Sequence, residues 1–346
     1  MSDKTTMRLD APALPSPRAA AAFQRPHAVA AVCVLLALWA VFALHGYWSF
    51  KLASVLVLAL AVRGLQLLIG TSGQVSLGHG AFFAIGAYAA GITMSQGWLS
   101  PYLAIPAAIA LCSALGFLFG LPAVRLAGPY LALGTFALAI ALPQLLKHPA
   151  LEDWTGGVSG LSLDPITAPF EGLALHADQW VLLITVAWTA VVYLVLHRLV
   201  NGPAGLAWLT LRDHPTAASA VGVDVRKWKA AAFAVSAGVV GAAGALNTCL
   251  TNFVSPDNFP IFLSLSLLVG VSIAGPKSIA GTFVAAVFLS FTPDVAEKLS
   301  QELTGVLYGL VMLVAVFVVP MLRRWRRRLA MRGGAGPDAA QSTPSK

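Results

Sequence analysis

The segment Gly270-Val-Ser-Ile-Ala-Gly275-Pro276-Lys277-Ser278 carries the residue types of a phosphate-binding loop. Such a loop needs Lys directly after its second glycine, so that the amine reaches the β- and γ-phosphates. Here Pro276 intervenes, and no soluble strand precedes the segment. It reads as a tight turn between two apolar runs, and the chain is not expected to bind ATP itself. The sequence holds no HExxH pair, no paired catalytic carboxylates and no nucleophile elbow. Cys33, Cys112 and Cys249 each lie in an apolar run without metal-ligand spacing. They read as packed thiols, and no metal site is expected.

Three further groups of polar residues stand out. Arg63 is the one strong charge inside an apolar run. Placing it at the centre of a membrane helix costs about 2.5–3.5 kcal/mol on insertion scales. Two readings stay open for it. One is a contact with an anionic substrate group or an internal gate; the other is a guanidinium bonded to backbone carbonyls of a neighbouring helix. Gln74, Ser76 and His79 stand at the polar start of the glycine-rich run Gly73–Tyr88. Ser76 can cap a helix, and His79 reads as a hydrogen-bonded structural residue ahead of a metal ligand.

The third group is the segment from Arg212 and Asp213 to Gly222. Pro215 suits a first helical turn. Ala217, Ala218 and Val221 form one small apolar face at helical spacing, and Gly222 stops it. A short exposed apolar helix calls for a protein partner, with an amphipathic loop on the membrane surface as the other reading.

The elements that position these residues follow from composition. The chain has 346 residues, 58% hydrophobic and only 10% charged, against about 25% charged in soluble domains. Lipid must therefore cover much of its surface. A spanning helix needs roughly 20 mostly apolar residues. The expected fold is an all-α polytopic membrane protein of about ten transmembrane helices, at 28–44, 52–70, 76–95, 101–123, 128–147, 179–198, 229–250, 259–275, 278–293 and 304–321. Gly and Pro interrupt several, which leaves room for broken or re-entrant segments.

Basic residues orient the helices. They cluster before the first, at Arg125, around Arg198–Lys229, at Lys277 and at Arg323–Arg328, with Lys51, Lys147 and Lys298 as exceptions. This alternation predicts ten spans with both termini in the cytoplasm. The net charge of +8 is thus topology information and not a nucleic-acid signal. Residues 1–26 are expected to be a disordered cytoplasmic tail, 27–322 the membrane domain with the 201–229 loop, and 323–346 a basic, disordered cytoplasmic tail. The stretch 148–178 is the longest external loop.

All fourteen Asp and Glu residues fall in expected loops or tails. Ion-coupled carriers usually keep a carboxylate near the midplane, so the energy source must lie elsewhere. Small residues at four-residue spacing, Gly116/Gly120, Gly80/Ala84, Ala87/Gly91 and Ala237/Gly241/Ala245, predict close helix contacts within the chain or with a partner.

Several of these segments together resemble the permease subunits of branched-chain amino acid ABC importers, of the LivM type. The early G-x-x-S-L-G-H/Q-x-A-F-F-x-I-G-A-Y motif is matched from Gly73 to Tyr88. An R-x-x-G-x-Y-x-A-x-x-T-x-A pattern is similar to Arg125–Ala137, and the external T-G-G-x-x-G-L is present as Thr155–Leu161. The coupling-loop pattern R-x-x-x-x-A-A-x-x-x-G falls on Arg212, Ala217, Ala218 and Gly222, and a K-x-x-A-F-x-x-S-A-x-x-A-G-x-A-G-A pattern is similar to Lys229–Ala245. Leu206 replaces a usual basic residue, Pro215 a usual Glu, and the later glycine motif is degraded over 274–282. These departures leave the substrate open.

The resemblance implies a subunit in the bacterial inner membrane that is not itself an enzyme and binds no cofactor. It would pair with a second, homologous permease subunit. Two cytoplasmic ATPase subunits would hold ATP and Mg²⁺, and a periplasmic substrate-binding protein would deliver the cargo. It implies an ATPase-coupling role for Arg212, Asp213, Ala217, Ala218 and Gly222, and a substrate path near Arg63, Gln74, Ser76, His79, Tyr88 and Thr135. Urea, short-chain amides and small organic acids are the alternative cargoes within the family. An ion-coupled secondary transporter is the distant alternative.

Overall fold

The computed structural model describes residues 39, 41–123, 129–167, 176–220, 222–299 and 303–333. The helices are α1 (Tyr47–Leu67), α2 (His79–Ser95), α3 (Pro101–Ala123), α4 (Pro129–Leu146), α5 (Glu152–Thr155), α6 (Ala177–Asn201), α7 (Pro203–Asp213), α8 (Pro215–Ala220), α9 (Val225–Thr251), α10 (Ile261–Ala274), α11 (Ile279–Leu299) and α12 (Thr304–Gly333). A π turn, Leu68–Ser72, continues α1. Leu161–Ser162 pairs antiparallel with Phe253–Val254, which ties the connection after α5 to the end of α9.

Among the described residues six helices are long and apolar enough to cross a membrane: α1 with its π turn, α3, α6, α9, α10 with the turn before it, and α11. A seventh is present if α4 and Pro149–Thr155, bent by 71°, form one span. Ten full-length spans are not found among the described residues. The expected helix at 28–44 lies largely outside them. The one expected at 76–95 begins only at His79 and has 17 residues. The apolar part of α12, Gly305–Val318, is also short. Each of the other nine expected segments does carry a helix.

Two boundaries differ from expectation. Residues 323–333, expected as a disordered tail, continue α12. Arg, Leu, Ala and Met are good helix formers, and no Gly or Pro intervenes before Gly333. Asp294 and Glu297, expected in a loop, lie on α11. There Asp294 pairs with Lys51 of α1 and accepts from the Tyr47 hydroxyl. Lys51 also donates to the Ser290 carbonyl at 2.9 Å. A lysine this deep needs such partners, and together they fasten the start of α1 to α11.

The core is built around α1 and α9, whose apolar windows are each 78% buried, against 33% for α3. Small residues on α9 let its neighbours approach to backbone contact, which is how helices pack without a hydrophobic driving force between them. Gly86 of α2 lies against the Gly241 backbone, and a Cβ at Gly244 would strike the Phe83 carbonyl. Gly116 and Gly120 of α3 sit against Ala237 and Ala230. The small-residue pattern is therefore used inside this chain. Cys112 and Cys249 are buried free thiols, and Cys112 packs on Gly241 within these contacts.

Candidate functional site

Three of the sequence-selected residues, Arg63, Gln74 and Arg212, meet around the end of α1. Arg63 is 7% exposed. Its Nη1 donates to Gln66 Oε1, one turn on. Gln66 Nε2 in turn donates to the Gly275 carbonyl and, at 3.0 Å, to the Ser278 carbonyl. Both amide hydrogens are thus committed, which leaves Oε1 to face the guanidinium. Arg63 Nε is buried without a partner, and Arg63 forms no ion pair among the described residues. Arg63 acts on the 275–278 turn through Gln66. It does not bond a neighbour's carbonyl directly, as one of the two expectations had it.

Beyond Gln66 the helix widens into the π turn. Thr71 and Ser72 turn their hydroxyls back to the carbonyls of Leu67 and Leu68. Gly70 has no room for a side chain, because the Pro276 carbonyl occupies the place of a Cβ. Gly73 ends the turn with φ +69°, a left-handed cap that glycine adopts without strain. A Cβ there would lie 2.7 Å from Arg212 Cγ.

Arg212, at the end of α7, reaches this point from the other side. Its Nη1 donates to the Gly70 carbonyl at 2.6 Å. Its Nε and Nη2 bond Asp213 Oδ1 and Oδ2 at 2.8 and 3.3 Å. The bond from Arg212 holds the Asp213 carboxyl below the usual carboxylate range, with help from the charges of Arg212, His214 and Lys277. The bond to Asp213 likewise raises Arg212. Trp208 anchors α7 on α9: it is 1% exposed and donates Nε1 to the Trp228 carbonyl at 2.9 Å. Asp224 caps α9 by accepting from the Arg226 and Lys227 amides. The backbone bonds to these two amides depress its carboxyl as well.

Ala218 is fully buried. Its apolar side faces this chain, which corrects the expectation of an outward apolar face at that position. Gly222 has φ +84° with open space around it. Ala217 lies on α8, and Val221 lies outside the described residues.

The motif at 73–88 forms a second buried lattice. Gln74 Nε2 donates to Ser72 Oγ at 3.0 Å and to the Lys229 carbonyl at 3.1 Å, while its Oε1 is buried without a partner. His79 bonds Ser76 Oγ through Nδ1 at 2.8 Å and Ser236 Oγ through Nε2 at 2.7 Å. Thr135 is fully buried; its Oγ1 accepts from the Leu77 amide at 2.9 Å and donates to the Ala132 carbonyl at 3.0 Å. Tyr88 is apart from these, with its hydroxyl buried and unpartnered and its ring against Phe259.

None of the six expected path residues lines the apolar groove of about 500 Å³ between α2, α3 and α4, which is formed by Phe82, Ile85, Leu115, Leu118, Phe119 and Leu138 among others. Gln66 and Ser236 are central to the bonding and were not singled out from sequence. Gln66 could have been found from its i+3 spacing to Arg63, and Ser236 from its place in the matched pattern after Lys229.

The comparisons agree on one family. A family model described as "Branched-chain amino acid transport system / permease component" matches residues 47–316. The high-affinity branched-chain amino acid transport system permease protein LivM of Escherichia coli K12 is 29% identical over 331 residues, 88% of this chain and 76% of that protein. The LivM of Salmonella typhimurium LT2 is 31% identical over 287 residues, 75% of this chain and 67% of its own length. A probable LivM of Methanocaldococcus jannaschii is 27% identical over 233 residues, 62% of this chain and 66% of that protein. No solved structure matches the chain. With the family's span running from the start of α1 into α12, this multi-pass membrane protein belongs to the permease components of branched-chain amino acid transport systems.

Proposed function

We propose that the chain is one permease subunit of an ATP-binding-cassette importer that carries branched-chain amino acids across the bacterial inner membrane. A second, homologous permease completes the pore. Two cytoplasmic ATPase subunits bind ATP and Mg²⁺, and a periplasmic binding protein delivers the cargo. The chain itself holds no nucleotide and catalyses no reaction. In this reading ten spans place both termini, the α7–α8 pair and the 275–278 turn in the cytoplasm.

The observation that carries the reading is the fastening of α7 to the π turn of α1 by Arg212 and Gly70. The 201–229 segment is thereby joined to one of the two most buried of the described helices. A force applied to it from below reaches the core without crossing a flexible loop. That arrangement suits an energy source outside the chain. The midplane carboxylate expected of an ion-coupled carrier is not seen in the sequence.

The test is ATP hydrolysis by the complex assembled with its partner subunits in lipid. Stimulation by a leucine-loaded binding protein, with leucine uptake, is the expected result. Stimulation only by urea, amide or organic-acid complexes would replace the cargo. Failure to assemble with any ATPase would overturn the importer reading.

A further inference from the structure

We propose that Arg212 is the positioning residue through which the coupling segment moves α1, and that Gly73 is the space that lets it grip. This inference rests on the importer reading above and names the internal contact by which that machine would be driven.

Three features set the grip apart from an incidental surface bond. The first is its orientation. Asp213 takes Nε and Nη2 of the guanidinium, so the planar fork is fixed relative to α7 and Nη1 is left to point outward. The second is its target. Gly70 lies in the last turn of the α1 helix, where carbonyls lack intrahelical partners and a cation is favoured by the helix dipole. The third is space. Gly73 adopts φ +69°, and Arg212 Cγ lies 2.7 Å from the place its Cβ would take. Any other residue at 73 would both strain the backbone and push the arginine off its carbonyl.

What is gripped is also held from behind. The Pro276 carbonyl packs on Gly70, and Gln66, faced by Arg63, bonds the Gly275 and Ser278 carbonyls. The π turn thus sits between α7 and the α10–α11 turn and moves with both. π turns inside helices recur at functional sites, and here one lies where the central helix meets the driven segment.

The experiment compares the full complex, reconstituted in liposomes with its partner subunits and a leucine-loaded binding protein, for leucine uptake per ATP hydrolysed. The variants are Arg212→Lys, Arg212→Gln and Gly73→Ala, each also assayed for co-purified ATPase and thermal unfolding. Arg212→Lys keeps the charge at the helix end but loses the fork. The expected result is a fall of about tenfold or more in uptake per ATP for all three, with Gly73→Ala retaining parental amounts of ATPase.

The double variant Arg212→Gln/Gly73→Ala is expected to be no worse than either single one, because both remove one grip. Full coupling in Arg212→Lys would reduce Arg212 to a helix-capping charge and overturn the proposal. So would a parental uptake-to-ATP ratio in Gly73→Ala. A parent complex that assembles with no ATPase would instead refute the importer reading, and is distinguished by being read first.

Discussion

Ser236 of α9 stands between His79 and the backbone of α1. It donates its hydroxyl hydrogen to the Gly64 carbonyl at 2.7 Å and meets His79 Nε2 at 2.7 Å. With its one hydrogen committed, Ser236 can only accept from the ring, so Nε2 carries the proton. Ser76 receives the Gly78 amide at 3.3 Å and is free to donate to Nδ1. The chain of donors closes on a neutral imidazole protonated at Nε2. We predict that ¹⁵N NMR of labelled His79 shows that tautomer. A doubly protonated ring would reject the assignment.

The same lattice predicts the effect of losing it. His79→Ala leaves the Ser76 hydroxyl hydrogen without its acceptor, which costs about 1–3 kcal/mol, while Ser236 keeps its bond to the Gly64 carbonyl. The expected outcome is a lowered unfolding temperature with unchanged selectivity among leucine, isoleucine and valine. A variant of parental stability but altered selectivity would move His79 onto the substrate path.

Arg63 is expected to affect stability more than substrate affinity. Its one bond among the described residues goes to Gln66, whose amide hydrogens are already used on Gly275 and Ser278. Arg63→Leu leaves Gln66 Oε1 unpartnered, at a cost of about 1–3 kcal/mol. That loss is offset in part by removing a buried charge. We predict a changed unfolding temperature and an unchanged KM for uptake. A KM raised about tenfold, equal to about 1.4 kcal/mol, at parental stability would place the guanidinium against the cargo.

Part of this arrangement is legible in the sequence because it is set by local rules. The apolar runs place nine of the expected helices, and the glycines of the 73–88 motif mark where α2 meets α9. The loop from Arg212 to Gly222 is found from its turn residues. Three things were not legible. Partner choice across 150 or so residues of chain, as between Gln74 and Lys229 or Arg212 and Gly70, depends on which helices pack together, and the spacing of residues does not encode it. The inward face of Ala218 is hidden because a small apolar face at helical spacing serves a fold core and a docking surface equally well. The extension of α12 to Gly333 is hidden because the expected apolar span ends near 321 and the tail beyond it is rich in Gly, Pro and Ser, although the arginines between are good helix formers.

Helix contact through glycine gives a graded prediction. A side chain at Gly86 meets the Gly241 backbone, and one at Gly244 meets the Phe83 carbonyl. Gly305 has nothing within 4 Å. Over-packing a close contact costs typically about 1–3 kcal/mol. Gly86→Val and Gly244→Val should lower the yield of folded protein and its unfolding temperature, whereas Gly305→Ala should match the parent. Equal effects at all three positions would show that the α2–α9 contact is not the close one described.

The Arg212–Asp213 pair predicts an absence of pH sensitivity in the working range. The Asp213 carboxyl is depressed by the bond from Arg212 and by neighbouring positive charge. A depressed carboxyl contributes stabilisation that is present above its unfolded value, about 3.9, and is lost only as pH falls through the lower folded value. The pair is therefore intact at neutral and mildly acidic pH. Uptake by the parent should show no acid limb from this group above the usual carboxylate range. Asp213→Asn leaves one acceptor oxygen for the two donors of Arg212, so it loosens the fork that aims Nη1 at the Gly70 carbonyl and should lower uptake at every pH without reshaping the profile. The check is uptake measured from neutral to mildly acidic pH for parent and variant. An acid limb near pH 5–6 that disappears in Asp213→Asn would show that the carboxyl titrates well above where its partners hold it, and would refute the pairing.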